Sequence, residues 1–561
     1  MKEFARIDWR LPPQEEVLLE DLAMTILSRR GFSEAQSLDS LHPRYDSLGD
    51  PFGLQDMELA VSAILDFRDK NEKIIIYGDY DIDGLTASSL LADVCSQLHI
   101  KHEVYIPDRF EEGYGIHVRA LEKLSEQGAR TIVSVDCGSS ALEAAQAAQR
   151  LGIRLIITDH HTLITQELEG AYAHINPLRE ANQYPEKYLS GVGVAFALAR
   201  ALQQASEYSI PAGQEKWLLD LVALGTICDV VPLTGENRVL ASYGLQVLRK
   251  TRRAGLRALA RVSGVMLEGI SAEDLGFKLG PRLNAAGRLE HAQHALKMLL
   301  AVDYEQAFEH AEYLQKLNTQ RQADTKWIHE SAREQAQRYL DDPILVLSDT
   351  SWSHGIVGLV ASRISEEYHR PAFLLQLEGN LAKGSGRSYA GISIIDIMRK
   401  QDAILDRYGG HAAAAGMTIA SEKIDLFRER MIETVSQLGD DVWTKQETVD
   451  AWLQPEFVSL EGFAQLEKLE PTGRDHPGVR LVFDGEITGI RPVGADGSHY
   501  QLSVRVQERE QRMIAFGAAV KWPLLKVGDI IRGVVRLGRS EWRGVARIEV
   551  MLLDILDNPR A

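Results

Sequence analysis

Short apolar runs alternate with amphipathic segments between residues 73 and 159. Three runs rich in Ile and Val each end in aspartate: KIIIYGD (73–79), TIVSVD (131–136) and RLIITD (154–159). The segments between them carry apolar residues at helical spacing. Strands that alternate with helices predict an α/β fold with a parallel, doubly wound sheet. Because ligands of such sheets bind beyond the carboxyl ends of the strands, we expect three carboxylates at one crevice.

The pattern divides the chain into five predicted regions. Residues 288–342 lack both Gly and Pro, and their polar 303–340 part predicts one or two long helices that connect two lobes. A second strand-and-helix pattern follows, and then five short β segments with glycine turns predict an OB-like barrel, with a swapped SH3-like barrel as the alternative. The regions are an N-terminal helical segment (1–70), a first α/β lobe (71–290), connecting helices (291–342), a second α/β lobe (343–445) and the barrel (446–561).

The composition of this 561-residue chain is that of a globular protein with three or four domains. Its 62 Lys and Arg against 80 Asp and Glu leave a net charge of −18, which argues against binding nucleic acid by bulk electrostatics. The three cysteines, Cys95, Cys137 and Cys228, are far apart, so a disulfide framework or a Cys-rich zinc site is not expected. We expect a cytoplasmic protein with no membrane association, since no window offers 18 consecutive apolar residues.

The densest candidate chemistry is the sequence GDYDIDG at 78–84, which places Asp79, Asp81 and Asp83 directly after a strand. An EF-hand loop starts in the same way, but it needs a helix before it and a Glu at its twelfth position, where this chain has Leu90. The other alternative is a solvated acidic turn in which Asp83 caps the next helix. Three crowded carboxylates repel one another unless a cation neutralises them, which favours a metal site.

Three further clusters add metal-ligating groups. Asp159, His160 and His161 follow one strand, Asp136 follows another, and Asp229 lies in an apolar segment where an unpaired charge is costly. A single His after a strand is commonly a structural hydrogen-bonding residue, but imidazole together with carboxylate suits Mn²⁺, Fe²⁺ or Zn²⁺. Together these groups suffice for two divalent cations that share one Asp, an arrangement typical of phosphoester hydrolysis.

These residues resemble a known family. The motifs DYDIDG, VDCG and DHH and the segment around Asp229 resemble the four motifs of the DHH phosphoesterase superfamily, and their order resembles the RecJ family of bacterial single-strand exonucleases in particular. Further similar segments are SGVGVAF (190–196), GPRLNAAGR (280–288), SHGIVG (353–358) and GGHAAAAG (409–416). The resemblance implies a DHH catalytic lobe, a DHH-associated second lobe and an OB-fold domain that binds nucleic acid.

The resemblance also implies an activity and a metal set. The activity is hydrolysis of single-stranded DNA from the 5′ end to mononucleotides, with two Mn²⁺ or Mg²⁺ ions, in DNA repair and recombination. The implied catalytic residues are Asp136, which would bridge the metals, His161, which would contact the scissile phosphate, and Asp79, which would alternatively hold the attacking water. The implied metal ligands are Asp79, Asp81, Asp83, Asp136, His160 and Asp229.

A second set of residues is implied to bind the substrate. Ser385 and Arg387 would hold the 5′ phosphate, and small residues around Arg387 predict a backbone anion nest. The arginines have an alternative as ordinary salt-bridge partners, and the run at 409–416 has one as tight helix packing. The implied substrate-binding residues are Arg109, Arg282, Asn284, Arg288, His354, Ser385, Arg387, Gly410 and His411.

The chain departs from the family pattern near its barrel. In EPTGRDHP (470–477), Thr472 replaces an aromatic residue and His476 replaces an Asn, which puts in question how the C-terminal domain is seated; Cys228 stands beside Asp229 where Ala is common. Residues 511–550 carry eight Lys and Arg against three Asp and Glu, together with Trp522 and Trp542, which suits single-strand binding. An ordinary barrel with core tryptophans is the alternative.

Two other functions compete with the exonuclease. One is a DHH phosphodiesterase of nanoRNA or cyclic dinucleotides, which the additional C-terminal domain disfavours. The other is a catalytically inactive scaffold, which the complete set of acids disfavours. The partners that the resemblance implies are single-stranded DNA, a single-strand-binding protein and a RecQ-type helicase, with the chain acting as a monomer.

Overall fold

The structure is a computed structural model that describes residues 6–109, 112–113, 115–206, 210–494, 497–542 and 545–557. These residues form two compact units. The larger unit comprises Glu20–Asn318 and Ala464–Gly478, and the smaller unit comprises the described parts of Met1–Leu19, Thr319–Phe463 and Val479–Ala561. No helix among the described residues is long and apolar enough to cross a membrane.

The strands and helices are numbered in chain order. The strands are β1 (Arg6–Arg10), β2 (Ile74–Gly78), β3 (His102–Tyr105), β4 (Thr131–Val135), β5 (Arg154–Thr158), β6 (Ala173–Ile175), β7 (Leu345–Asp349), β8 (Ala372–Glu378), β9 (Leu381–Arg387), β10 (Arg407–Gly410), β11 (Ala414–Ala420), β12 (Thr444–Thr448), β13 (Ala451–Trp452), β14 (Leu481–Val493), β15 (His499–Val506), β16 (Arg509–Ala515), β17 (Ile530–Trp542) and β18 (Val545–Asp557). The helices are α1 (Leu22–Arg29), α2 (Glu34–Leu41), α3 (Met57–Asp69), α4 (Ile82–Gln97), α5 (Val118–Glu126), α6 (Leu142–Arg150), α7 (Gly191–Ala205), α8 (Leu219–Cys228), α9 (Gly235–Leu248), α10 (Ala254–Val262), α11 (Ala272–Asp274), α12 (Gly280–Leu289), α13 (Gln293–Leu300), α14 (Tyr304–Ala336), α15 (His354–Tyr368), α16 (Ile394–Arg399), α17 (Ile424–Ser436), α18 (Leu460–Glu467) and α19 (Ala518–Lys521).

A five-stranded parallel sheet forms the centre of the larger unit, in the order β3-β2-β4-β5-β6. Strands β2 and β4 are buried along their whole length, which explains their near-continuous Ile and Val. Helix α4 is itself almost entirely buried and packs against α7 and α8. The three Asp-terminated runs therefore form neighbouring parallel strands, as the apolar pattern predicts.

Two of the sheets in the smaller unit match the predicted second lobe and barrel. The first is mixed, in the order β10-β11-β9-β8-β7, and matches the predicted second α/β lobe. The second is the predicted barrel: β14, β15, β16, β18 and β17 pair in turn, and β14 also pairs with β17, which closes the five strands. Its β16–β18 pair is parallel, while the other pairs in the ring are antiparallel. Closure removes free strand edges, as in an OB fold.

The chain crosses between the units more often than the five predicted regions imply. Strand β1 pairs in parallel with β12, so residues predicted only as helical contain a strand that belongs to the smaller unit. Residues 464–478, which the sequence assigns to the barrel region, belong to the larger unit. Strand pairing between distant segments leaves no local signal in an apolar pattern, and this explains both differences. The predicted long connecting helix is α14, of 33 residues.

Candidate active site

The carboxyl ends of three adjacent strands supply the first acids of the site. Asp79 directly follows β2, Asp136 follows β4 and Asp159 follows β5. Asp136 has φ of 61°, a left-handed conformation that a non-glycine residue adopts at a cost, and its N–H donates to the carbonyl of Thr158 at 2.9 Å. The turn after β4 thus holds the Asp136 side chain at the sheet edge.

Asp81 and Asp83 play different parts at the start of α4. Asp81 is the N-cap, and its Oδ1 accepts from the N–H of Gly84 at 3.1 Å. Asp83 lies in the first turn, buried, and accepts from the N–H groups of Gly191 and Val192 at 2.6 and 2.8 Å. The alternative in which Asp83 caps the helix is therefore wrong, because the cap is Asp81, two residues earlier. The strand before this loop also excludes an EF-hand.

The N-terminus of α7 orders the buried acids. Ser190 caps the helix by accepting from the N–H of Gly193 at 3.1 Å, which leaves the next N–H groups directed at Asp83. A Cβ on Gly191 would lie 2.4 Å from Oδ1 of Asp136, so no larger residue fits. The SGVGVAF segment thus packs against two acids of the site at once.

His160 lies at the centre of the cluster. Its Nε2 is 3.1 Å from Oδ1 of Asp136, 3.7 Å from Oδ2 of Asp229 and 3.8 Å from Oδ2 of Asp83. Asp229 enters from the C-terminal end of α8, where it is the C-cap residue. Acids from one strand end and two helices therefore surround one imidazole.

Asp159 has a different role from the other strand-end acids. Its Oδ2 accepts from the N–H of Ser139 at 2.8 Å, and its Oδ1 accepts from the N–H of His160 at 2.7 Å and lies 2.8 Å from Nδ1 of His161. This carboxylate orients the His161 ring instead of facing the acid cluster. The expectation that all three strand-end carboxylates share one crevice is therefore wrong for Asp159. The sequence signal for this role is its position directly before two histidines.

Three groups of side chains have ligand atoms close enough to hold a cation, within 4.8 Å of one another. Among the described residues, Oδ1 of Asp79, Oδ1 of Asp136 and Nε2 of His160 are buried without a hydrogen-bond partner. Buried polar atoms are normally paired, so these three point to a bound ion. These carboxylates and imidazoles would suit divalent cations, and Asp136 is common to two of the three groups. The groups are Asp136 with His160 and His161, Asp83 with His160 and Asp229, and Asp79 with Asp81 and Asp136.

Crowded acids shift one another's pKa. Burial first, and then the charge of Asp81, raises the pKa of Asp83 to about 7. Burial and neighbouring carboxylates likewise raise the pKa of Asp79, Asp136 and Asp229 well above the usual range. Without cations these acids are costly to ionise together.

The two histidines shift in opposite directions. Burial, and then the charge of His161, lowers the pKa of His160 to about 4, so its imidazole is neutral and suited to bind a metal. Burial alone would lower the pKa of His161 as well, but its hydrogen bond to Asp159 and the Asp159 charge outweigh burial and raise that pKa to about 9. The partnership holds the pKa of Asp159 well below its usual range despite burial.

Arg109, Asn284 and Arg288 approach the same edge of the larger unit. The Arg109 guanidinium lies 5.1 Å from the ring centroid of Tyr80, and its Nη1 donates to the carbonyl of Gly287 at 3.3 Å. Burial raises the pKa of Tyr80 to about 12, while the charges of Arg109 and Arg288 oppose the rise. Asn284 lies one turn before Arg288 on α12, half-buried. The structure therefore brings Arg109 and Arg288 close to Tyr80, the residue between Asp79 and Asp81 in the sequence.

Arg282 points to a different partner. Its Nε donates to Oε1 of Gln315 at 2.6 Å, and its Nη1 donates to the carbonyl of Lys278. These partners are an amide and a backbone oxygen, so its hydrogen bonds are not those of a salt bridge.

The EPTGRDHP segment forms a tight turn within the larger unit. The buried guanidinium of Arg238 donates to the carbonyls of Leu469, Glu470 and Pro471. His476 is fully buried, and its Nε2–H donates to the carbonyl of Leu469 at 2.9 Å. Burial, and then the charge of Arg238, lowers the pKa of His476 to about 3, so the ring is neutral. His476 is thus well accommodated as a hydrogen-bonding core residue.

The other two departures are also accommodated. The N–H of Thr472 donates to Oε2 of Glu470 at 3.1 Å, which closes the turn on itself. The Sγ of Cys228 donates to the carbonyl of Leu275 at 3.5 Å and lies where a Cβ on Gly280 would come within 2.8 Å. Cys228 therefore packs against the segment before α12 and makes no part of the three candidate ligand groups.

In the smaller unit, Arg387 ends β9 and is largely buried. Its Nη1 donates to Oγ of Ser385 at 2.5 Å and to the carbonyl of Gly386 at 2.9 Å, while its Nε donates to Oγ of Ser362 at 3.1 Å. Among the described residues no carboxylate forms an ion pair with it. The predicted anion nest is wrong, because Ser385 and Gly386 lie in the middle of a sheet and pair with β8 and β11.

The remaining predicted residues also lie in the smaller unit. His354 is the first residue of α15, and its N–H donates to Oε1 of Gln376 at 3.0 Å. Gly410 has φ of 145°, and a Cβ there would lie 2.4 Å from the carbonyl oxygen of Ala414. His411 is exposed at the tip of the β10–β11 hairpin. The Gly/Ala run is therefore a hairpin, and the alternative of tight helix packing is wrong.

Known proteins match this arrangement over nearly the whole chain. Residues 73–226 match the DHH family, N-terminal domain, residues 341–437 match the DHHA1 domain, and residues 449–554 match the RecJ OB domain. The single-stranded-DNA-specific exonuclease RecJ of Escherichia coli (strain K12) is 37% identical over 527 residues, which cover 90% of this chain and 90% of that protein. This chain belongs to the RecJ family.

Solved RecJ structures agree with the fold. The crystal structure of RecJ in complex with Mn²⁺ from Thermus thermophilus has a TM-score of 0.83 and 27% identity, and covers 99% of this chain and 80% of that one. The structure of RecJ in complex with Mg²⁺ from the same organism has a TM-score of 0.76 and 26% identity, and covers 98% of this chain and 78% of that one. RecJ family membership confirms the predicted fold class: a parallel-sheet DHH lobe, a helical connector, a DHH-associated lobe and an OB-like barrel.

Proposed function

We propose that this chain is a metal-dependent 5′→3′ exonuclease that degrades single-stranded DNA to mononucleotides. The observation that carries the proposal is the cluster of acids around His160, whose buried atoms Asp79 Oδ1, Asp136 Oδ1 and His160 Nε2 make no hydrogen bond among the described residues. Such a cluster is costly by itself and suits two divalent cations, Mn²⁺ or Mg²⁺. The RecJ relatives and their Mn²⁺ and Mg²⁺ complexes support this assignment.

The residues of the larger unit have distinct parts in the proposed reaction. Asp79, Asp81, Asp83, Asp136, His160 and Asp229 would hold the cations. When bound, two cations polarise the scissile phosphodiester and lower the pKa of water at the site. The N–H groups of Gly191 and Val192 keep Asp83 in place, and Asp159 keeps the His161 ring oriented toward the phosphate. Preorganised side chains of this kind avoid reorganisation during the reaction.

The smaller unit supplies the proposed 5′-phosphate contacts. Arg387 is a buried guanidinium that hydroxyls and a carbonyl hold in one orientation, and no described carboxylate neutralises its charge. A guanidinium fork matches phosphate oxygens in a bidentate way. We assign Ser385 to the same phosphate, with His354, Gly410 and His411 as further substrate contacts. We also propose roles in DNA repair and recombination, with a single-strand-binding protein and a RecQ-type helicase as partners of a monomeric enzyme.

A nuclease assay tests the proposal directly. Single strands labelled at the 5′ end should be degraded to mononucleotides in Mn²⁺ and remain intact in EDTA, and blunt duplex should be resistant. Degradation in EDTA, or of duplex alone, would contradict it. A dinucleotide and a cyclic dinucleotide belong in the same assay, because preferential hydrolysis of these small molecules would support the competing DHH phosphodiesterase.

The structure changes how the barrel is tested. Deletion of residues 449–561 would also remove 464–478, whose carbonyls accept from the buried Arg238. A buried charge that loses its partners destabilises a protein by about 3–5 kcal/mol, so lost activity would report unfolding. Charge-neutralising substitutions of exposed barrel cations are the cleaner test, and they should weaken binding of long strands more than turnover of short ones.

A further inference from the structure

One segment of the larger unit is strongly basic although the chain as a whole is acidic. Residues 249–267 contain six Lys and Arg and no Asp or Glu, in a chain with 62 basic and 80 acidic side chains. The segment begins directly after α9 and covers the following loop, α10 and the residues after it. Neither the candidate metal ligands nor the predicted substrate residues come from it, so its charge has no part in the function proposed above.

The arginines of α10 lie over a row of aromatic rings on α14. The guanidinium of Arg257 is 5.8 Å from the ring centroid of Tyr304, and that of Arg261 is 5.2 Å from the ring centroid of Phe308. The two rings themselves stack, with centroids 6.0 Å apart and an interplanar angle of 25°. Each pair is spaced by one helical turn, about 6 Å. The two arginines of α10 therefore form a row that lies against the row of two aromatic rings on α14.

The loop before α10 extends this pattern. Arg252 lies 5.4 Å from the ring centroid of Trp217, which is 42% exposed. An arginine stacked on a ring is held in place while its N–H groups stay available to an anion. Arg252, Arg257 and Arg261 are all exposed.

These arginines differ from their neighbour Arg253. The Nη2 of Arg253 lies 2.7 Å from Oδ2 of Asp93, and its Nε lies 3.0 Å from Oδ1 of Asp220. The Arg253 side chain is largely buried. Within the described ranges, Arg252, Arg257 and Arg261 form no ion pair with a carboxylate. Arg253 is thus a structural cation, whereas the other three carry charge that the fold does not neutralise.

A groove connects this surface to a predicted substrate residue. A cavity of about 370 Å³ is lined by Arg261, Val262, Phe308, Glu312, Gln315 and Lys316. Its Gln315 accepts a hydrogen bond from Arg282, which the family resemblance assigns to the substrate. Glu312 is the acid of this lining and is outnumbered by Arg261 and Lys316. The cationic row therefore continues to the side chain of Arg282.

We propose that Arg252, Arg257, Arg261 and Lys316, with Trp217, form a second binding surface for single-stranded DNA, made of residues other than the candidate metal ligands. Cations next to exposed aromatic groups bind single strands without sequence preference, since the cations contact phosphates and the rings stack with bases. Here Tyr304 and Phe308 pack partly against the core and support Arg257 and Arg261, while the exposed Trp217 is available to a base. The inference rests on the proposed function, because a strand digested from one end needs a hold on its remaining length. An acidic protein would need only the charge, whereas the exposed Trp217 beside Arg252 favours a nucleic acid.

The full-length Arg257→Gln/Arg261→Gln variant tests the surface. The matched control is Arg130→Gln/Arg150→Gln, which removes two exposed arginines near the amino ends of β4 and β5 in the same unit. Binding is measured by fluorescence anisotropy in an Asp136→Ala background, with single strands of about 6 and about 40 nucleotides, lengths chosen to lie within and beyond one single-strand site. Turnover of the short strand is measured in the otherwise wild-type chain.

Loss of two phosphate contacts should make the slope of log affinity against log salt shallower by about 1.4 for the long strand. Affinity for the long strand should fall several-fold in the same variant, while turnover of the short strand and the properties of the control variant stay unchanged. An unchanged slope for the long strand, or an equal loss in the control, overturns the inference. Arg257→Lys/Arg261→Lys should keep the slope, and a failure to do so with an unchanged melting temperature would also count against phosphate contacts. Failure of the wild-type chain to degrade any single strand would instead refute the proposed function.

Discussion

The acid cluster of the larger unit and Arg387 of the smaller unit are two charged sites that the protein holds in opposite ways. In the larger unit, Asp79 and Asp136 are buried with oxygen atoms that make no hydrogen bond among the described residues. In the smaller unit, the buried guanidinium of Arg387 donates to two hydroxyls and a carbonyl. The acids repel one another and raise one another's pKa, whereas the arginine is hydrogen-bonded and already oriented.

The acids of the larger unit need an added cation, whereas hydrogen bonds within the protein already hold Arg387 in the smaller unit. Unpaired buried acids at close range destabilise the folded state unless cations neutralise their charge. We therefore expect the larger unit to depend on metal for stability as well as for activity. Burial lowers the pKa of Arg387, so the fold bears a cost for this guanidinium, but its hydrogen bonds hold it in one orientation and no described carboxylate neutralises its charge. Substitutions in the acid cluster and at Arg387 should therefore differ widely in the size of their effects on activity and stability.

The largest effect is expected from Asp136→Ala. Asp136 belongs to two of the three candidate ligand groups, so its loss should lower the turnover of single-stranded DNA by at least about 10³-fold, several kcal/mol of lost transition-state stabilisation. Binding of single strands should be largely spared. The exposed Asp39→Ala is the control and should keep full activity. Hydrolysis at the wild-type rate by Asp136→Ala would refute the site assignment.

Melting temperatures of the same variants test the stability side of the contrast. In EDTA, Asp136→Ala should melt above the wild type, because one of several repelling buried charges is gone. Mn²⁺ at about 100 times its dissociation constant should stabilise the wild type by about 2.7 kcal/mol and the variant by much less. Equal Mn²⁺ shifts in both proteins would mean that the acids do not hold the ion.

A smaller effect is expected from Asp159→Asn. This substitution removes the charge of a strand-end acid whose two oxygens both accept hydrogen bonds. Loss of the charge that fixes the His161 ring should cost about 10–100-fold in turnover, the range for groups that orient a metal-site residue. Since Asp159 lies outside the three candidate ligand groups, the Mn²⁺-induced melting shift should be retained. A lost Mn²⁺ shift would instead make Asp159 a ligand.

Arg387→Ala should affect phosphate binding by the smaller unit and leave the Mn²⁺-induced melting shift unchanged. Removal of a charged phosphate contact costs about 1.5–3 kcal/mol, so preference for a 5′-phosphorylated over a 5′-hydroxyl strand should fall by about tenfold or more. Arg387→Lys should restore only part of the preference, because an ammonium lacks the planar fork. Ser362→Ala should lower the preference by less, since its hydroxyl accepts from Nε of Arg387 and only orients the guanidinium. An undiminished preference in Arg387→Ala would remove the phosphate assignment.

The smallest effect is expected from His476→Asn, which restores the residue of the family pattern. The folded-state pKa of His476 is about 3, below the value of about 6.5 for an unfolded histidine. Its contribution to stability is therefore complete above about pH 6.5 and is lost as the pH falls from there toward 3. The variant should melt within a few degrees of the wild type at pH 7.5 and lose less stability between pH 6.5 and 4.5. An identical pH dependence in both proteins would show that His476 titrates normally.

Much of the larger unit was predictable because its signals are local. A buried parallel strand needs a continuous apolar run, and an acid directly after each run lies at the carboxyl edge by geometry alone. Asp79 and Asp136 were therefore placed correctly without coordinates. Asp159 satisfies the same rule, yet its carboxylate binds Ser139 and His161, because the direction of a side chain depends on the donors that surround it.

The sequence by itself determined the α/β class, the closed barrel, the long connecting helix and the family, since each depends on periodicity or on motifs read along the chain. Only the tertiary structure decided which residues far apart in the chain share an environment. It placed residues 464–478 in the larger unit, set Gly191 against Asp136, and put Arg387 in a sheet where the sequence predicted a nest. The physical reason is that hydrogen-bond pairing and close packing join distant segments, and such partners leave no periodic trace in the chain.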